Sequence, residues 1–129
     1  VDAIRVLLAE DNDVYCSTLE LLLGACDGIH VVGAVADGVA AVAAVGALAP
    51  DVVLMDFRLP GLDGARATAR LRDLYPETAV ICLTAEATAA DRDAVLAAGA
   101  VTLIEKGRPT EELVAAIRSA CTRGDDRWT

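Results

Sequence analysis

Five short apolar runs recur along the chain: Ile4–Ala9, Val31–Val35, Val52–Met55, Val80–Leu83 and Val101–Ile104. They are rich in Val and Ile and continuous rather than alternating, which suits strands covered on both faces of a parallel sheet. Parallel neighbours need crossovers, and helical patterns lie between the runs. Tyr15, Leu19, Leu22, Leu23 and Cys26 share one helical face, and Ala67, Leu71, Leu74 and Tyr75 share another. A last stripe joins Leu113, Ala116, Ile117, Ala120 and Cys121, with Thr110 as N-cap and Glu111 and Glu112 as an acidic first turn. Weaker Ala- and Val-rich helices fill Val39–Leu48 and Ala89–Ala98, capped by Asp37 and Thr88. The expectation is an α/β chain of (βα)5 order: an open, doubly wound, five-stranded parallel sheet. Without a composition shift or repeat, residues 1–122 read as one domain. Residues 123–129 read as a tail or linker stub.

Composition narrows the partners. The 129 residues carry 20 acids against 11 Lys plus Arg, a formal net charge of -9. That argues against nucleic-acid binding by this domain itself, since phosphate neutralisation needs a basic face. The longest uncharged stretch, Gly38–Pro50, is far short of the ~20 apolar residues of a membrane span. No basic region followed by an apolar run opens the chain, so no secretory signal is read and a cytoplasmic location is expected. Cys16, Cys26, Cys82 and Cys121 lack metal-ligand spacing and sit in apolar contexts, as reduced core thiols would.

In a doubly wound sheet, ligands bind beyond the carboxyl ends of the strands. The first strand ends in Glu10 and Asp11, the third in Asp56, and the fourth in Thr84; the fifth runs through Glu105 into Lys106. Singly, each has a plain reading as a solvated acid, a turn cap or a surface base. Together they stand out. Lys106 is the only lysine, the other basic residues being arginine, and Asp56 follows four apolar residues at the rim of the core.

Carboxylates converging on one edge repel, and need a cation or a proton. An all-oxygen cluster suits Mg2+ or Mn2+. A metal held by Asp11 and Asp56 would bind a phosphoryl oxygen, Lys106 and Thr84 would contact others, and Asp56 would attack phosphorus in line. Competing chemistries lack their parts: no phosphate-binding glycine loop follows a strand, and His30 lies away from the acidic edge. A phosphatase of the haloacid dehalogenase type would want an Asp where Arg58 stands.

From Ile4 to about Cys121 the chain resembles the receiver domain of two-component response regulators. The resemblance rests on Ala9-Glu10-Asp11-Asn12, Met55-Asp56, Arg58-Leu59-Pro60-Gly61-Leu62-Asp63-Gly64, Leu83-Thr84-Ala85 and Glu105-Lys106-Gly107. Each motif alone is weak; the ordered set is specific. It implies a flavodoxin-like fold with strand order 2-1-3-4-5, Asp56 as phosphoacceptor, Glu10 and Asp11 as the metal-binding acidic pair, and the Arg58 main-chain carbonyl completing the metal shell. Thr84 is then the switch hydroxyl and Lys106 the lysine that pairs with the phosphoryl group. Ala85, Glu86 and Leu103 fall in the switch region; Arg58 and Glu86, each two residues beyond a strand-end site residue, read either as two independent solvated charges or as a rim pair gating hydrolysis.

The implied partner is a sensor histidine kinase, with a homodimer forming on phosphorylation. The chain would assist its own phosphorylation and dephosphorylation without being a conventional enzyme. The segment from Lys106 to Leu113 is similar to regulators of the NarL/FixJ type, whose DNA-binding helix-turn-helix domain is absent here. Two departures stand out: Leu103 replaces the usual Tyr or Phe, and Gly107 replaces a common proline. Leu103 is the one feature favouring an alternative, a receiver-like interaction module that works without phosphorylation.

Overall fold

The computed structural model describes residues 3–126, with side chains through residue 121. Strands and helices alternate as β1 (Ile4–Ala9), α1 (Asp13–Gly24), β2 (Ile29–Val35), α2 (Gly38–Leu48) and β3 (Val52–Asp56). They continue as α3 (Gly64–Leu74), β4 (Ala79–Thr84), α4 (Ala89–Ala98), β5 (Thr102–Glu105) and α5 (Thr110–Asp126). All pairings are parallel and the order is β2-β1-β3-β4-β5, as the sequence predicts. Residues 127–129, the end of the segment expected to be a tail, lie outside the described residues, and α5 continues as far as Asp126.

The continuous apolar runs are explained by the pleat, which sends successive residues to opposite faces. Leu7, Ala9, Val53, Met55, Val80 and Cys82 meet Ala41 and Val45 of α2, Ala67 and Leu71 of α3, and Val95 of α4. The alternate residues Val6, Leu8, Val52, Leu54, Ile81 and Leu83 meet Cys16, Leu19 and Leu23 of α1 with Leu113, Ile117 and Ala120 of α5. β2, read as a strand covered on both faces, is instead an edge strand and mostly half-buried. A register irregularity opposite Val6 and Leu7 kinks it, a device that discourages edge-to-edge pairing.

Two helix faces differ from expectation. In α1 the buried stripe is Cys16, Leu19 and Leu23, while Leu22 is 42% exposed and Tyr15 half-buried. In α3 Ala67 and Leu71 are buried as expected, joined by Thr68, whose hydroxyl donates to the Gly64 carbonyl at 2.6 Å, while Leu74 is 55% exposed at the end of the helix. In α1, apolar residues outnumber the positions a single stripe can bury. The caps are as read for Asp37 and Thr88, whose side chains accept from Ala40 N and Asp91 N. Thr110 is the first residue of α5 rather than its cap.

Gly64 opens α3 directly behind the end of β3. A Cβ there would stand 2.5 Å from the Asp56 carbonyl oxygen and 2.8 Å from Phe57 Cα, both main-chain atoms that cannot step aside. Gly24, by contrast, has nothing within 4 Å. In urea denaturation, Gly64→Ala should lose about 1–3 kcal/mol. Gly24→Ala should be neutral or gain up to about 1 kcal/mol. An unchanged midpoint for Gly64→Ala would contradict this packing.

Candidate functional site

The site is assembled by register. Ala9 of β1 pairs with Met55 of β3, so Glu10 and Asp56 leave adjacent strands side by side. This is the point where the sheet reverses its winding, with β2 on one side of β1 and β3 on the other. One carboxylate oxygen from each of Glu10, Asp11 and Asp56 lies within 4.8 Å of the others. Glu10 is 4% exposed and Asp56 6%, whereas Asp11 faces solvent.

Lys106 arrives from the far side of the sheet. Its main-chain N–H donates to the Thr84 carbonyl at 2.7 Å, extending the β4–β5 pairing by one residue. Gly107 then turns the chain away at φ 91°, a left-handed conformation that glycine adopts without strain. The Lys106 ammonium stands 2.5 Å from Glu10 Oε1 and 3.5 Å from Asp56 Oδ2. It is the counter-ion common to both buried acids. Glu10 Oε1 is buried, and the ammonium is its counter-ion. Glu10 Oε2 accepts from the Asn12 N–H at 3.0 Å.

Burial pushes the Glu10 carboxyl above its usual range and neighbouring Asp56 adds to the rise, against the lowering by Lys106 and the Asn12 amide. Three carboxylates against one ammonium leave a surplus of about two negative charges, which a divalent cation would balance. An all-oxygen donor set of three carboxylates fits a hard cation such as Mg2+. Asp56 Oδ1 accepts from the Arg58 N–H at 3.2 Å, so the chain folds back over the carboxylate.

Thr84 is buried, and its hydroxyl donates to the Glu86 carbonyl at 3.3 Å, a long bond within its own loop. Ala85 and Glu86 are exposed. Arg58 is exposed too, and among the described residues it forms no ion pair with Glu86. Leu103 is buried against the core, 2% exposed, and its carbonyl accepts from Arg92 Nη1 at 3.2 Å.

The structure thus brings Glu10, Asp11, Asp56, Thr84 and Lys106 to one edge and leaves Leu103 inside. It also adds a residue that the motifs did not mark: Tyr15, whose ring centroid is 4.6 Å from Lys106 Nζ. Its place in an apolar helical pattern reads as core. The usable signal was a lone aromatic one helical turn beyond Asp11. A groove of about 750 Å³ lies at the opposite end of the strands, among Asp51, Tyr75, Thr78 and Val101, and no member of the acidic cluster lines it.

Residues 6–118 match the family model of the response regulator receiver domain. The chain is 36% identical over 115 residues to the response regulator GacA of Pseudomonas viridiflava, covering 89% of this chain and 54% of GacA. It is 39% identical over 110 residues to a protein-glutamate methylesterase/protein-glutamine glutaminase of Anaeromyxobacter dehalogenans, covering 85% of this chain and 32% of that protein. The signal receiver domain of NarL from Mycobacterium tuberculosis superposes with a TM-score of 0.91 at 30% identity, covering 95% of this chain and 98% of that one. The chain belongs to the response regulator receiver family of two-component signalling. It spans about half or less of the curated relatives named, and among its described residues no helix is long and apolar enough to cross a membrane.

If Lys106 is the counter-ion of a buried acid, its removal strands that acid. Lys106→Ala should cost about 1–3 kcal/mol, the range for an orphaned buried polar group. Adding Glu10→Gln to that variant should recover most of the loss in the same denaturation assay. Additive losses in the double variant would contradict the coupling.

Proposed function

We propose that this chain is a phospho-accepting receiver in which Asp56 takes a phosphoryl group from the phosphohistidine of a sensor kinase. The observation that carries this reading is a nearly buried carboxylate at a strand end, flanked by two further carboxylates and a lysine. An Asp56 oxygen attacks phosphorus as the P–N bond to the donor imidazole breaks. The product is an acyl phosphate, and the released imidazole regains a proton.

Asp11, Asp56 and the Arg58 main-chain carbonyl, with Glu10 beside them, would hold Mg2+ or Mn2+. When bound, that ion supplies positive charge against the phosphoryl oxygens and the acids alike. Lys106, 3.5 Å from Asp56, transfers its ammonium from Glu10 to a phosphoryl oxygen. Thr84 exchanges its long bond to the Glu86 carbonyl for the same group. Both changes pull on loops that border α4 and β5, so occupancy of Asp56 biases a surface remote from the chemistry.

The wider function follows from this reading. The domain relays a kinase signal in the cytoplasm, pairs with a second copy when phosphorylated, and controls an output through a further segment that binds DNA. It acts on its own phosphoryl group and not on outside substrates. Leu103 favours a second reading, a module that signals by partner binding alone, because a buried leucine lacks the hydroxyl and flat ring of a two-position switch.

Intact mass after incubation with Mg2+ and acetyl phosphate separates the readings. One added phosphoryl group, absent in Asp56→Asn, is the expected result; an adduct that persists in that variant would contradict the assignment. No adduct on the parent would favour the binding module. Lys106→Ala and Thr84→Ala should still accept phosphate yet lose phosphorylation-dependent dimerisation in size-exclusion chromatography. Normal dimerisation of either would show that its contact is not the switch.

A further inference from the structure

The phospho-accepting reading leaves the third neighbour of Lys106 without a task. Tyr15 lies in the first turn of α1, where its N–H donates to the Asn12 side chain at 2.9 Å, so the helix cap fixes the backbone that carries the ring. The ring is half-buried beside the α1–α5 core, and its centroid is 4.6 Å from Nζ, well inside the ~6 Å reach of a cation–π contact. We propose that Tyr15 is a positioning residue for Lys106: its ring face keeps the ammonium at the acidic edge and guides it between Glu10 and a phosphoryl group on Asp56. This inference rests on Asp56 being the phosphoacceptor.

The chemistry of the three neighbours supports such a role. Lysine carries a compact charge on a flexible four-carbon stem and loses rotamer freedom when its head is fixed. The Lys106 side chain is 20% exposed, so part of its hydration is already gone. A further carboxylate in place of the ring would deepen the surplus of negative charge and bind the ammonium more firmly to its resting position. A leucine would leave it free to swing into solvent. An aromatic face attracts the cation without a directional hydrogen bond. The ammonium can therefore shift from one oxygen to another with no bond to the ring being broken. Burial, and then the nearby Glu10 and Asp56 charges, hold the phenol above its usual titration range, so the ring stays neutral beside the acids.

Lys106 is the only lysine in the chain, so protein grown on 13C-labelled lysine gives one ε-methylene NMR signal. In the parent that signal should be shifted upfield by the Tyr15 ring current. Tyr15→Phe should keep the shift and Tyr15→Leu should lose it. With Mg2+ and phosphoramidate, Tyr15→Leu should accept phosphate about 3- to 10-fold more slowly, a loss of about 0.7–1.4 kcal/mol. Tyr15→Phe should stay within about twofold of the parent, because the ring and not the hydroxyl makes the contact. A melting temperature for Tyr15→Leu close to that of the parent separates positioning from misfolding. A parental lysine shift in Tyr15→Leu, or a Tyr15→Phe as slow as Tyr15→Leu, would overturn the proposal. A parent that accepts no phosphoryl group overturns the guiding role together with the phosphoacceptor reading. The lysine signal, which needs no phosphorylation, still decides whether the ring holds the ammonium.

Discussion

Like charges held together by backbone register govern this structure. The pairing of Ala9 with Met55 is fixed by packing on both faces of β1 and β3, because a one-residue slip would exchange every side chain between the face under α2, α3 and α4 and the face under α1 and α5. The acids that follow those residues cannot move apart without breaking the sheet. Coulomb repulsion between Glu10 and Asp56 is therefore carried by the core, and the lysine at the end of β5 answers only part of it. The surplus of negative charge makes the edge receptive to a divalent cation, and that in turn makes an anionic phosphoryl donor tolerable beside a carboxylate.

The signalling logic follows from the same shortage of positive charge. With a single ammonium shared among several oxygens, any new anion on Asp56 competes for it, and its movement is felt at Glu10 and along β5. Lys106 is bonded through its main chain to Thr84, so the two residues that would sense the phosphoryl group are already joined at 2.7 Å. Arg92 ties α4 to the Leu103 carbonyl, which joins that helix to the same strand. Leu103, standing where the family more often has a mobile aromatic, is buried within β5.

Much of this was legible in the residues. The Val- and Ile-rich runs fix the strands because a residue in a doubly covered sheet has no polar option on either face, and the motif acids mark the strand ends. Edge effects were less visible: β2 has the same composition as an interior strand, and only pairing shows that it is open on one side. Leu22 misled because α1 carries more apolar residues than its buried stripe holds, and Leu74 because it is the last residue of α3, beyond the part that packs on the sheet. Tyr15 was hidden for the opposite reason. Its helical phase places it near the core, and the contact that matters is made with a residue 91 positions away (106 − 15) that only the β1–β3–β4–β5 arrangement brings near.

The central claim is that the carboxyl edge of the sheet is a built cation site whose charge is left unbalanced by the protein alone. The most direct test is the melting temperature as MgCl2 is titrated at constant ionic strength. Because an ion that binds only the folded chain stabilises it by mass action, the curve should rise and saturate as for one site. It should flatten in Asp11→Asn and in Asp56→Asn. A parent whose melting temperature does not respond to Mg2+, or a response that survives loss of both acids, would contradict the account.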